Sequence, residues 1–190
     1  MPSVFVANLN SVRPPMPPFE RQSVDTSWRL IRLGPRDGDR YCDHLMRLDA
    51  EDRRFRFFEE PEEFLIALHA GAAVADGRVV VGCESGGEIR GAGELMPDPK
   101  APGRGELAFS VERAWRRRGL GRALMRAMID TAKEMEFFCL ELEILPDNLA
   151  MQHLTRRFSS DMHERNGNVI ATISVPAIAA AGLGTFGQDR

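Results

Sequence analysis

Apolar residues fall into regular periods only from Trp28 onward. Leu30, Ile31 and Leu33 mark a short strand, and Tyr41, Leu45 and Leu48 share one face of a helix over residues 39–48. Residues 53–58 carry arginines and phenylalanines without an apolar period, followed by Glu59, Glu60, Glu62 and Glu63. They read as a loop with a solvated charged face, leading into a helix through Phe64, Leu65 and Leu68. Strands over 78–84 and 88–96 flank Ser85-Gly86-Gly87, a two-strand turn signal. Residues 97–105 hold three prolines and two glycines and read as an exposed loop. Over 106–111, Glu106, Ala108 and Ser110 alternate with Leu107, Phe109 and Val111, which predicts a strand with one apolar face and one carboxylate-bearing face. Leu120, Ala123, Leu124, Ala127, Met128 and Ala132 set a helix over 120–134. A strand over 138–144, a helix starting at Asn148 with Met151 and Leu154, and a hairpin about Asn166-Gly167 complete the chain. Hairpins mixed with a strand–helix–strand crossover define an α/β class with a mixed sheet.

The 190 residues suit one domain, and 43% hydrophobic with 28% charged residues can bury a core. We expect a proline-rich arm over 1–27, with Pro14, Pro15, Pro17 and Pro18, a domain over 28–176 and a tail over 177–190. The arm reads as packing on its own domain or on a neighbouring subunit, so a homodimer is open. Cys42, Cys83 and Cys139 are widely spaced, and the four histidines add no ligand pattern, so neither a disulfide framework nor a metal site is expected. No cationic leader with a long apolar run is present, and the chain reads as cytoplasmic, without membrane contact. A net charge of −3 offers no chain-wide attraction to nucleic acid.

One local cluster runs against that charge. Arg113, Arg116, Arg117, Arg118, Arg122 and Arg126 crowd a predicted helix N-terminus, where the macrodipole disfavours cations. A bound anion removes the conflict, because backbone N–H groups and guanidinium forks then converge on one negative target. Gly119 and Gly121 allow close approach to the main chain. A solvated basic helix end and a nucleic-acid patch are the alternatives. A dinucleotide turn would need a third glycine near Leu124, and a P-loop would need Gly-Lys-Ser/Thr; neither is present.

Arg116-x-x-Gly119-x-Gly121, between a strand and an amphipathic helix, resembles the coenzyme A pyrophosphate motif of the GNAT superfamily of acyl-CoA-dependent N-acyltransferases. The segment from Val111 through Arg113 to Trp115 looks like that family's entry into the turn, with Arg113 where proline is usual. Asn148 matches the family's asparagine beside the cofactor. Residues 48–57 are similar to a segment of bacterial protein-lysine acetyltransferases. The resemblance implies a largely antiparallel sheet flanked by helices and splayed between the fourth and fifth strands. It also implies acetyl-CoA as cosubstrate, with Arg116, Arg117, Arg118, Gly119, Leu120, Gly121 and Arg122 on the pyrophosphate and Val111, Glu112 and Arg113 on the pantetheine. An amine acceptor, small molecule or protein lysine, would attack directly.

Such attack needs a base, because an alkylammonium has no lone pair. Glu106 is the first candidate and Glu94 the second; both can also be read as ordinary carboxylates on a wetter sheet face. Glu141 and Glu143 could shape the acceptor pocket. The family's tyrosine acid falls at Thr155, and the glycine-phenylalanine pair expected after that helix reads Ser159-Ser160. The missing acid keeps a non-catalytic acyl-CoA sensor or interaction module open as an alternative; the acidic balance and the lack of aromatics among the arginines disfavour a nucleic-acid module.

Overall fold

The computed structural model describes residues 27–75 and 77–176. Nearly all of the expected arm, and the whole of the expected tail, lie outside them. Seven strands form one sheet in the order β1-β2-β3-β4-β5-β7-β6. The elements are β1 (Arg29–Leu33), α1 (Gly38–Met46), α2 (Ala50–Phe57), α3 (Glu63–Ala75), β2 (Val79–Ser85), β3 (Glu88–Pro97), β4 (Arg104–Val111), α4 (Leu120–Glu134), β5 (Cys139–Ile144), α5 (Leu149–Thr155), β6 (Asp161–Arg165) and β7 (Asn168–Ser174). All neighbours pair antiparallel except β4 and β5, which are parallel. This is the splayed, mixed and largely antiparallel sheet that the resemblance implies. Among the described residues, no helix is long and apolar enough to cross a membrane.

Two cores cover the two faces of the sheet. Leu120, Leu124, Met125, Met128 and Ala132 of α4 pack on Leu95, Leu107, Leu140 and Leu142. On the other face, Tyr41 and Leu45 of α1 and Ile66, Ala70 and Ala73 of α3 pack on Val80, Ile89 and Ala92. The turn glycines Gly86 and Gly87 have φ of 60° and 84°, and Asn166 and Gly167 have 54° and 83°. Those left-handed pairs suit two-residue hairpins, which explains why both turns were legible.

Two expectations are corrected. Residues 50–57 form a helix where a loop was expected. Asp49 caps it by accepting the N–H of Asp52 at 2.9 Å, with Glu51 and Asp52 in its first turn and Arg54 and Arg56 in its last. The helix leaves no apolar period because its buried positions, four apart, are Asp52 and Arg56. In α3 the expected face is reversed. Phe64 and Leu68 are 64% and 68% exposed, while Ile66, Ala70, Ala73 and Val74 are buried. Small side chains face inward because α1 comes close: a Cβ on Gly38 would touch Val74 Cγ2 at 3.6 Å and Gly71 Cα at 3.8 Å.

Leu124→Ala should therefore cost about 2–5 kcal/mol, whereas Leu68→Ser should stay within about 0.5 kcal/mol of the parent. Urea unfolding midpoints of the two variants check this.

Candidate active site

Pairing of β4 with β5 covers only Arg104↔Cys139, Gly105↔Leu140 and Glu106↔Glu141. Beyond Glu106, β4 stays on β3 as far as Gly91↔Val111, and β5 stays on β7 as far as Ile144↔Val169. A gap opens between them. Glu112 donates its N–H to Arg90 O on the β3 side at 3.0 Å. Strand alternation then turns the Leu107 C=O, both groups of Phe109 and the Val111 N–H toward the gap; the Leu107 N–H still closes the last β4–β5 pair, and the Val111 C=O accepts from Arg116. A cavity of about 220 Å³ lies there, walled by Phe55 and Phe58, Met96, Glu106 and Phe109, and by Ile144, Asn148 and Met151.

Both residues flanking Val111 are tied down by a buried network. Ser110 Oγ lies 2.8 Å from His44 Nε2, and His44 Nδ1 lies 3.2 Å from Glu112 Oε1. Arg47 and Arg90 donate to Glu112 at 2.8 and 3.2 Å. Burial alone would raise the Glu112 carboxyl; hydrogen bonds from His44 and Arg47 reverse that and hold it at about 2. Burial lowers His44, so a neutral ring donates from Nδ1 to Glu112 and accepts the Ser110 hydroxyl at Nε2. The Glu112 side chain thus points into the protein, and its main chain is bonded to Arg90 O and to the Trp115 N–H, so Glu112 acts only through Val111.

The arginine-glycine turn sits at the far end of β4. Gly119 has φ of 89° and caps α4, and nothing lies within 4 Å of where its Cβ would be. The helical ladder starts with Ala123 N–H to Gly119 O at 3.0 Å, so the N–H groups of Leu120, Gly121 and Arg122 precede it. Gly121 instead meets α5: its Cβ would lie 3.3 Å from Leu154 Cδ2. The arginines divide by partner. Arg113 is held by Asp49 and Glu51, and Arg116 by Asp52 and the Val111 carbonyl. Arg118 stacks on Trp115 with its guanidinium 4.8 Å from the ring centroid. Among the described residues, Arg117 and Arg122 have no hydrogen-bond or ion-pair partner.

The two candidate bases meet opposite surroundings. Glu106 occupies the last paired position of β4 and opens to the cleft. The crowding walls and the nearby Glu143 push its carboxyl upward. Glu141, opposite it, accepts from Arg165 at 2.6 Å, and Glu143 accepts from Asn168 at 2.6 Å. Glu94 is 1% exposed and lies outside the cavity. It accepts from Arg56, from His69 at 2.9 Å, from Arg78 at 2.9 Å and from Tyr41 at 3.2 Å. Burial would raise it, but His69 and Arg56 bring it down to about 2.

Asn148 lines the cavity and caps α5, its Oδ1 accepting the Met151 N–H at 3.1 Å. The Thr155 hydroxyl is buried and donates to Met151 O at 2.8 Å. Tyr41 is wholly buried against Glu94, and burial pushes its hydroxyl to about 12. The structure thus gathers Glu106, Asn148 and the Val111 main chain around one gap, with the turn at its end, and leaves Glu94 behind the wall. Phe55, Arg56, Phe58, Met96 and His44 were not foreseen as parts of the site. The stretch similar to lysine acetyltransferases held two of them, Phe55 and Arg56, and its reading as a loop hid their placement.

The acetyltransferase (GNAT) family pattern matches residues 43–159, and the chain belongs to that family. Its fold is similar to that of the GNAT domain of PAT from S. lividans, at 22% identity and a TM-score of 0.70, covering 77% of this chain and 90% of that one. It is also similar to a GNAT-family acetyltransferase from Streptococcus pneumoniae, at 15% identity and a TM-score of 0.63, covering 79% and 100%. A GNAT superfamily phosphinothricin acetyltransferase from Sinorhizobium meliloti, in complex with AcCoA, matches at 13% identity and a TM-score of 0.63, covering 78% and 88%. No curated protein sequence matches the chain.

Glu94 and Glu112, both lowered from 4.5 to about 2, link stability to pH. Their contribution is fully present above the ordinary value of 4.5 and is lost as the pH falls through about 2. Thermal unfolding temperature should therefore drop steeply below about pH 4.5, and Glu112→Gln should lower it at pH 7 while flattening that acid slope.

Proposed function

We propose that the protein is an N-acyltransferase that moves the acetyl group of acetyl-CoA onto an amine by direct attack, with Glu106 as general base. The observation that carries this reading is the gap itself: an unpaired strand edge, a base at its fork and an anion-ready turn at its far end, in a member of an acetyltransferase family. The residues fit the donor. Gly119 leaves space for a phosphate, three helix N–H groups precede the ladder, and Arg117 and Arg122 are uncommitted. Bound acetyl-CoA supplies a thioester carbonyl activated for acyl transfer.

The chain's own groups have separate tasks. The edge facing the gap, from Leu107 to Val111, offers ladder bonds to an extended ligand, and the Val111 N–H is a preorganised donor for a carbonyl oxygen gaining charge. The network through His44 and Glu112 keeps that peptide oriented. Glu106 takes the proton of the attacking ammonium, directly or through one water. Thr155 is bonded back to its own helix and supplies no acid, so the departing thiolate takes its proton from solvent. Glu141 and Glu143 make the cleft favourable for a cationic amine, small molecule or protein lysine. Residues 28–176 form the transferase domain.

Free-thiol release from acetyl-CoA with a panel of amines and lysine peptides tests the reading. Glu106→Gln should lower kcat by about 10²–10⁴-fold, with a smaller loss at high pH where the amine deprotonates unaided. CoA affinity by calorimetry should not change. No turnover with any acceptor by a folded protein that binds acetyl-CoA would favour the sensor reading.

Arg122→Ala should weaken CoA binding about tenfold or more without changing thermal stability. Arg113→Ala, whose guanidinium is engaged with Asp49 and Glu51, should weaken it far less. Calorimetric titration of both variants decides whether the uncommitted arginines hold the anion.

A further inference from the structure

The network centred on Glu94 is more than a way of fastening α2 to the sheet. Arg56 projects from α2 with its side chain 6% exposed and forms part of the cavity wall that also contains Glu106. Its bonds to Glu94 and to Tyr41 at 3.5 Å both use Nη2, with His69 Nε2, itself a donor to Glu94, 3.2 Å away; among the described residues this leaves Nε and Nη1 uncommitted. Glu94 is shared with Arg78, so two buried or half-buried guanidiniums serve one carboxylate and the cluster carries surplus positive charge. That surplus lies beside the cleft.

Around Glu106 the other charges are mostly negative. Glu141 and Glu143 share its face from β5, and Glu94 lies behind from β3. Arg165 of β6 is bonded to Glu141 and also lies within electrostatic reach of Glu143 and Glu106, and among the described residues the one hydrogen bond to the Glu143 carboxylate comes from the neutral amide of Asn168. Arg104 and Asp98 lie with Glu106 along a second cavity on its other side, where their charges oppose each other. Like charges favour the protonated form of a carboxyl, and a protonated Glu106 could not take a proton from the acceptor.

Resting on the reading of Glu106 as base, we propose that Arg56 is a positioning residue of the transfer site: a cation anchored from behind by Glu94 and Tyr41 that supplies Glu106 with its counter-charge among Glu141 and Glu143. Glu94, one of the two carboxylates considered as base, then acts one step removed, by holding Arg56 where Glu106 feels it. The electrostatic influence of Arg56 on Glu106 has the required sign, lowering a carboxyl that its other neighbours raise.

The test compares the full-length parent with Arg56→Gln and Arg56→Lys. The carboxyl titration of Glu106 is followed by NMR of ¹³C-labelled glutamate, assigned through Glu106→Gln, alongside the pH profile of kcat/KM. In Arg56→Gln the Glu106 midpoint and the acid limb should both rise by about half a pH unit or more, roughly a threefold loss of kcat/KM below the midpoint. The alkaline plateau should be largely kept, and Arg56→Lys should restore most of the shift. A folded Arg56→Gln protein whose Glu106 titrates as in the parent overturns the proposal, since a purely structural Arg56 would change stability alone. If Arg56→Gln does not fold, Arg56→Gln/Glu94→Gln removes both partners and is judged by the same criterion, with a smaller rise expected because Glu94 opposes Arg56. Full activity of Glu106→Gln would instead sink the base assignment, and the NMR titration would still decide whether Arg56 sets the charge of Glu106.

Discussion

The site depends on the point where β4 and β5 stop pairing. Each of these strands has a second neighbour that holds it to its end, β3 for β4 and β7 for β5, so the sheet can part between them without either strand losing its place. Parting leaves the Leu107 carbonyl, both main-chain groups of Phe109 and the Val111 N–H facing the gap instead of a ladder. Such groups are costly when buried without partners, which makes the gap a built demand for an extended, hydrogen-bonding ligand. Glu106 stands at the fork, the last position where the strands still touch.

The second organising feature is α2, a two-turn helix whose inward positions are charged. Asp49, Glu51 and Asp52 hold Arg113 and Arg116 at its start, while Arg56 joins Glu94 near its end. Phe55 of the same helix and Phe58, the residue just past its end, wall the cavity. Burying ion pairs costs desolvation and adds little net stability, but it defines one geometry sharply. Here that geometry places one short helix against the arginine-glycine turn and the cavity beside Glu106 together.

What was legible in the sequence follows from how each element is buried. The helix from Leu120 to about Glu134 was readable because α4 buries an ordinary apolar stripe, and both hairpin turns were readable because their glycines are required by positive φ. The helix over 50–57 was hidden because hydrophobic periodicity cannot register Asp52 and Arg56 as interior. Phe64, Leu65 and Leu68 misled for the converse reason: close approach of α1 admits only the small face of α3. Within the site, the glycine turn was visible from its cations at the wrong helix end. Glu106 was put ahead of Glu94 on its strand's place beside the expected gap alone, since what α1, α2 and α3 bring to each carboxylate leaves no local signal. Arg56, His69 and Tyr41 come from distant parts of the chain, and no local spacing connects them.

A strand edge reads ligands through peptide groups, which every residue type possesses. Side chains along such an edge can be exchanged without erasing the hydrogen-bonding pattern, provided the bifurcation of the sheet persists. Recognition of this kind places little information in the identities of residues 107–111 and much in the backbone path. That is in keeping with a fold retained at a TM-score of 0.70 when only 22% of residues are identical. A side chain is least welcome where it would shift that path, as at Gly105, where a Cβ would come within 2.7 Å of Leu95 Cδ1 and 2.9 Å of Phe137 Cε1.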